Sequence, residues 1–230
     1  MDVTASTHAL PTGANTDVDL GVIGAGRMGV RLAALFARAG RRVLLGSRDP
    51  VRARDQLAMG PSLPGLEIGS YADALAARAV LPAVFLRDGL AELLESHHAQ
   101  LQGKLLVDIS NPFNEDYSDY ILPWDTSSAE VLRQRLAGVR LVGAFKNVFA
   151  EVLDAPTFDG VRSDVLVVGD DAGAKAEFLA LAEGTPFRYL DAGPLINART
   201  VERLTMITGR LGRQLGTYPR MNWRLLGQAA

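Results

Sequence analysis

The sequence predicts an α/β fold, a doubly wound and mostly parallel sheet with a small C-terminal helical elaboration. Three observations predict it. Apolar runs of strand length alternate with stretches of helical pattern along the chain. A G-x-G-x-x-G turn, formed by Gly24, Gly26 and Gly29, separates the first such run from the first helix. The 230 residues are 48% hydrophobic, which is ample for a core.

Leu20 to Ile23 is the first strand. Each glycine after it has its own task. Gly24 makes the tight turn, Gly26 leaves the backbone bare for a pyrophosphate, and Gly29 lets the helix pack closely on the sheet. Arg27 and Met28 lie between them in the first helical turn, where free N–H groups and the positive dipole end face an anion. Val30, Ala33, Ala34 and Ala37 continue the helix, Gly40 ends it, and Val43 to Leu45 is the second strand. This strand–turn–helix–strand context makes the glycines a Rossmann dinucleotide motif rather than an ordinary turn.

The tip of the second strand selects the dinucleotide. An Asp or Glu there would accept from the ribose 2′-hydroxyl of NAD. This chain has Gly46-Ser47-Arg48, with Arg52 one helical turn further on. A hydroxyl and two guanidinium groups suit a 2′-phosphate, so NADP is expected. Asp49 follows the arginine and caps the next helix, with Pro50 at its first position.

That helix runs from Pro50 to Met59, and Gly60 to Gly65 is a turn-rich loop. Leu66 to Ile68 is a short third strand, and Ser70 caps a helix over Tyr71 to Arg78. Ala79 to Leu86 is a fourth strand, although Pro82 is awkward inside it. A helix over Arg87 to Ser96 precedes a fifth strand, Lys104 to Ile109. Asn114 to Thr126 has no periodicity and mixes acids with aromatics, as functional loops do. A helix from Ser128 to Ala137 leads to a sixth strand, Val139 to Phe145, and Lys146 to Leu153 begins a helix or turn. Val165 to Val168 and Phe187 to Leu190 are two further strands around a helix over Asp171 to Ala182. The last helix spans Leu195 to Leu215, with an apolar stripe of Val201, Leu204, Leu211 and Leu215 joined by Thr208. The expected division is a loose leader over 1–18, a dinucleotide-binding domain over 19–168 and a C-terminal elaboration over 169–230 packed on the same domain.

Composition excludes several classes. The net charge of −2 carries no sign of nucleic-acid or membrane-surface binding, and without cysteine there is no thiolate metal site or cysteine nucleophile. No apolar run approaches the ~20 residues a membrane span needs. His8, His97 and His98 lack metal-ligand spacing, and no hydrolase or kinase signature is present. A soluble cytoplasmic protein is the expectation.

In such sheets ligands lie outside the carboxyl ends of the strands. That picks out Ala83 to Arg87, Ser110 to Phe113 and Phe145 to Phe149 around the nicotinamide, with Ala83, Val84, Phe85 and Asn111 added to the cofactor set and Asn111, Pro112, Lys146 and Asn147 forming a substrate set. Asn111 reads either as an amide donor to nicotinamide or substrate, or as a turn residue before Pro112. Lys146 reads as a cation for an acidic substrate, as a proton donor, or as a solvated lysine. No catalytic acid or base and no metal ligand stands out.

The ordered segments GVIGAGRMG, GSR, DISNP, GAFKNVFA, VLVVGDD and LDAGPL, followed by NARTVERLT, resemble the coenzyme F420-dependent NADP oxidoreductases. They also resemble the soluble reductase domain of the six-transmembrane metalloreductases. The resemblance covers about Leu20 to Leu215. It implies hydride transfer between NADP(H) and a deazaflavin, coenzyme F420, or a flavin, and puts Ser47, Arg48 and Arg52 on the 2′-phosphate positions. Three departures lie on the nicotinamide side: Phe85 in place of a proline, and Gly143 and Lys146 where related chains often have Lys and Asn. Such transfer needs orientation rather than an acid or base from the protein. Two alternatives remain, an NADPH-dependent reductase of a small imine or carbonyl and a non-catalytic NADP-binding sensor. The last helix is expected either to cover one side of the crevice or to form a homodimer.

Overall fold

The computed structural model describes residues 17–58 and 62–227. The expected leader up to residue 16 and the link from Met59 to Pro61 lie outside the described residues. Val18, assigned to that leader, is instead buried, and its carbonyl accepts from Arg78 N–H at 3.1 Å.

The chain lays down β1 (Leu20–Ile23), α1 (Arg27–Arg38), β2 (Val43–Gly46), α2 (Pro50–Ala58), β3 (Leu66–Gly69), α3 (Tyr71–Leu75) and β4 (Ala79–Pro82). After a 3-10 turn at Leu86–Asp88 come α4 (Leu90–Ser96), α5 (His98–Leu101), β5 (Leu105–Asp108), α6 (Ser128–Arg135), β6 (Arg140–Gly143) and α7 (Ala150–Asp154). The remainder is the hairpin of β7 (Thr157–Phe158) and β8 (Val161–Arg162), then β9 (Asp164–Val167), α8 (Ala172–Ala182), β10 (Arg188–Asp191) and α9 (Ala198–Gln214).

The first six strands form one parallel sheet in the order β3-β2-β1-β4-β5-β6. Because side chains alternate across a strand, the sheet feeds two cores. Val22, Leu45, Leu81 and Val107 join α1 and α8 on one face. Ile23, Leu44, Val80 and Leu106 join α3, α4 and α6 on the other. The order reverses between β1 and β4, and a crevice opens there at the carboxyl ends of the strands. This is the doubly wound Rossmann architecture the sequence predicts.

Several expected elements differ in extent, each for a local reason. The helix after Ser70 stops at Leu75, where the chain turns to feed β4, although its start is fixed by a reciprocal capping box between Ser70 and Asp73. The fourth strand stops at Pro82, which lacks an N–H for the ladder. Gly89, at φ 84°, then separates the 3-10 turn from α4. The hairpin of β7 and β8 was not anticipated. β9 and β10 form their own parallel pair and meet β6 through a single bridge, Gly143 to Val168, with N–H···O distances of 2.8 and 2.9 Å.

The last helix buries Val201 and Thr208 of the expected stripe but not its C-terminal leucines. Leu211 and Leu215 are exposed, with Ile207, while the buried face carries Glu202, Thr205, Thr208, Gly209 and Gly212. Apolar spacing alone overextends the buried stripe toward the C-terminus, because much of the buried face is docked by polar contacts described below. Among the described residues no helix is long and apolar enough to cross a membrane.

Candidate functional site

The three glycines have three distinct environments. Gly24 has φ +107°, and an added Cβ would lie 2.9 Å from Ala83 O, so both conformation and space require glycine. At Gly29 a Cβ would stand 1.8 Å from Gly24 O, so α1 packs directly on the turn. Gly26 is the N-cap of α1 with extended backbone and no side-chain cap, and a Cβ there would meet nothing within 4 Å. Open space therefore lies in front of a helix N-terminus that keeps unsatisfied N–H groups. That is the shape a phosphate group needs.

The tip of β2 carries no carboxylate. Ser47 Oγ donates to Asp49 O at 3.0 Å and accepts from Asp49 N–H at 3.1 Å, which fixes the turn. Asp49 in turn accepts from Arg52 N–H at 3.0 Å, at the start of α2. Arg48 is exposed, and neither guanidinium, of Arg48 or Arg52, has a hydrogen bond or ion pair among the described residues. Two uncommitted cations thus stand beyond the strand next to the glycine turn.

A cavity of about 640 Å³ opens from this turn along the strand ends. Gly26, Arg27, Met28, Ala83, Val84 and Phe85 line it on one side. Thr205, Met206, Gly209, Arg210 and Arg213 of α9 line the other, so the long helix walls the crevice. Phe145 lies at its base, with φ 55° and edge-on contacts to Phe36 and Phe178 at 6.1 and 6.2 Å between ring centroids. The carboxylates lining it are Asp116 and Glu151. Asp116 is held below the usual carboxylate range by hydrogen bonds from the Ser118 hydroxyl and N–H.

Lys146 and Asn147, expected at the substrate, are elsewhere. Both side chains are fully buried. Lys146 Nζ donates to Asp108 Oδ2 at 2.6 Å, Ser110 O at 2.6 Å and Glu202 Oε1 at 2.9 Å. Burial alone would lower its pKa, but Asp108 and Glu202 outweigh burial and raise it. Burial pushes the Glu202 carboxyl up against the pull of Lys146, and Glu202 also accepts from Ser128 and Ala129 N–H at the start of α6. Asn147 donates to Asp164 O at 2.8 Å and accepts from Leu166 N–H at 3.1 Å, pinning β9. These residues hold elements together and do not line the cavity.

Gly143 and Lys146 prove to be one feature. A Cβ at Gly143 would lie 2.9 Å from Lys146 Cε, so the glycine makes room for the lysine. Asn111 does line the cavity, but its amide is committed, donating to Lys146 O at 2.8 Å and Thr205 Oγ1 at 3.3 Å. Both amide hydrogens thus tie Asn111 to the chain, one of them to α9, while its buried Oδ1 has no hydrogen-bond partner among the described residues. Pro112 is buried and does not line the cavity; its carbonyl accepts from Ile121 N–H at 2.8 Å.

Arg87 ends the strand-end group Ala83 to Arg87 that the sequence places at the crevice, where it had no role of its own. Its guanidinium lies 4.0 Å from the Phe85 ring centroid and 4.8 Å from that of Tyr117. It donates to Phe113 O, Asn114 O and Tyr117 Oη at 3.0, 2.9 and 3.1 Å. Tyr117 itself has φ 59° and lines the cavity with Phe85 and Phe113.

The geometry is matched by likeness to known proteins. A family model described as "NADP oxidoreductase coenzyme F420-dependent" matches residues 19–112. The F420-dependent NADP reductase of Methanothermobacter thermautotrophicus is 30% identical over 194 residues, covering 79% of this chain and 83% of that protein. The chain belongs to the coenzyme F420-dependent NADP oxidoreductase family. It is accordingly an NADP-dependent oxidoreductase. Metalloreductase STEAP3 of Rattus norvegicus is 32% identical over 187 residues, 81% of this chain, but the chain spans 36% of that protein's length. A solved structure of a candidate F420-dependent NADP-reductase from Arthrobacter sp. FB24 superposes with a TM-score of 0.74 at 28% identity, over 86% of this chain and 95% of that one. The imine reductase of Bacillus cereus BAG3X2, at 22% identity and a TM-score of 0.58 over 86% of this chain and 62% of that one, shares the fold.

Proposed function

We propose that the chain binds NADP(H) along the glycine turn and transfers a hydride between its nicotinamide and a deazaflavin or flavin ring held in the cavity. The observation that carries this is the tip of β2: no carboxylate, with Ser47 and two uncommitted guanidinium groups beside the turn. Those groups fit a 2′-phosphate, and the bare N-cap at Gly26 fits a pyrophosphate. When bound, NADPH supplies the hydride and the acceptor ring takes it up.

The chain's part is binding and orientation. Phe85 and Tyr117 offer an aromatic wall stiffened by Arg87. Arg210 and Arg213 give the α9 side of the cavity a positive charge suited to an anionic acceptor. Met206, Val148 and Phe149 supply apolar surface that keeps water from the reacting rings. An imine or carbonyl reductase would need a proton donor, and the lysine first considered for that role is buried and paired.

Rapid mixing of the protein and NADPH with oxidised F420, FMN, a cyclic imine and ferric chelates tests the reading. Fast coenzyme oxidation with F420 or FMN and none with the imine is expected. Turnover of the imine alone would overturn it.

A further inference from the structure

At the glycine-turn end of the cavity the lining charges are Arg27 and Glu151; Arg210 and Arg213 lie on the α9 side. Arg27 is the first residue of α1, next to the bare N-cap Gly26. Its guanidinium does not stand free, because Nη2 donates to Glu151 Oε1. The Arg27 side chain is 71% exposed in this pair and that of Glu151 is 24% exposed. One helical turn further, Arg31 Nε donates to Asp154 Oδ2 at 2.8 Å, away from the cavity. Two ion pairs therefore join α1 to α7, and only the first of them faces the cavity.

A carboxylate in that position opposes its surroundings. The helix N-terminus and the open space before Gly26 favour an anion. Glu151 places a fixed negative charge beside that space and occupies the nearest cation. We propose that Glu151 limits affinity at the coenzyme site: it holds the Arg27 guanidinium off the phosphates and repels them, so binding must break this pair and release re-forms it. The inference rests on the glycine turn being the coenzyme site. It makes Arg27 a phosphate ligand only at the expense of Glu151, and it favours release of the spent coenzyme.

Calorimetric or fluorescence titration with NADPH at low salt tests it on the wild-type protein, Glu151→Gln, Asp154→Asn and the double variant Arg27→Ala/Glu151→Gln. Glu151→Gln is expected to bind about two- to fivefold more tightly, the scale of an exposed charge interaction, with the gain shrinking as salt screens it. The double variant should lose the share of the gain that the freed Arg27 supplies, keeping only the smaller share due to the removed repulsion. Asp154→Asn should match the wild type, since its pair joins the same helices without facing the cavity. Equal or weaker binding by Glu151→Gln, in a variant whose circular dichroism shows it folded, would overturn the proposal. The same gain in Asp154→Asn would also overturn it, by tracing the effect to a loosened α1–α7 contact. A wild-type protein that binds no NADPH would sink the coenzyme site itself and this inference with it, whereas wild-type binding with no gain would sink the inference alone.

Discussion

Lys146, three residues past β6, and Glu202 on α9 form a fully buried ion pair, with Nζ 2.9 Å from Oε1. Asp108, 2.6 Å from the same ammonium, completes the cluster. Removing one member of such a cluster leaves an uncompensated charge away from water. Lys146→Met should therefore lower the unfolding free energy by about 3–5 kcal/mol in urea titration. Glu202→Gln should cost less, because Asp108 still pairs with the lysine. Two variants of wild-type stability would show that α9 is held by other contacts.

The Arg87 clamp predicts a split between the two ligands. Arg87→Ala removes the support under Phe85 and Tyr117 but leaves the glycine turn untouched. The KM for the acceptor should rise several-fold while the Kd for NADPH, measured without acceptor, stays within about twofold. A loss of NADPH affinity as large as the rise in KM would contradict this division of the cavity.

The two glycines flanking Arg27 and Met28 should behave oppositely. Gly26→Val enters open space in extended backbone, so the protein should fold with an unchanged melting temperature and lose NADPH binding. Gly29→Ala would drive a Cβ to 1.8 Å from Gly24 O and should lower the melting temperature by itself. Thermal melts of both, with and without NADPH, give the comparison; a folded Gly26→Val that still binds NADPH would place the phosphates elsewhere.

Acid should release the C-terminal segment. Burial raises the Asp164 carboxyl, but Arg188, the Leu225 N–H and Arg224 outweigh burial and hold it below the usual carboxylate range. A depressed folded pKa stabilises above the ordinary carboxylate range, and that contribution is lost as pH falls through the folded value. In a Trp124→Phe background, Trp223 fluorescence should change on acidification before the far-ultraviolet dichroism does. Asp164→Asn should show the released signal already at neutral pH, and an unaltered Trp223 signal in that variant would refute the account.

Much of the dinucleotide half was legible because its signals are local. The turn from Gly24 to Gly29 is dictated by backbone conformation and close packing within a few residues. The Ser47–Arg48 tip is read off one strand end. The roles of Lys146, Asn147 and Asn111 were not legible, since each depends on partners far away in sequence. Glu202 lies 56 residues from Lys146, and without it a lysine at a strand end reads as solvated or ligand-binding. The same blindness misplaced Leu211 and Leu215 of α9, though Val201 and Thr208 of the expected stripe are buried, because leucine spacing points to a core only where the buried face is apolar. Arg87 was placed at the crevice, but its role was hidden for a related reason: its partners Phe113, Asn114 and Tyr117 come together only after the loop folds back over Phe85.

The central claim is that this member of the family reads the 2′-phosphate of NADP through Ser47, Arg48 and Arg52. Calorimetric titration of the wild-type protein and Arg48→Ala with NADPH and with NADH tests it most directly. The account predicts that the wild type binds NADPH at least about tenfold more tightly than NADH, and that Arg48→Ala loses about 1.5–3 kcal/mol of NADPH binding, the range for a charged hydrogen bond, while NADH binding is unchanged. Equal wild-type affinity for the two coenzymes, or an Arg48→Ala protein that binds NADPH as the wild type does, would contradict it.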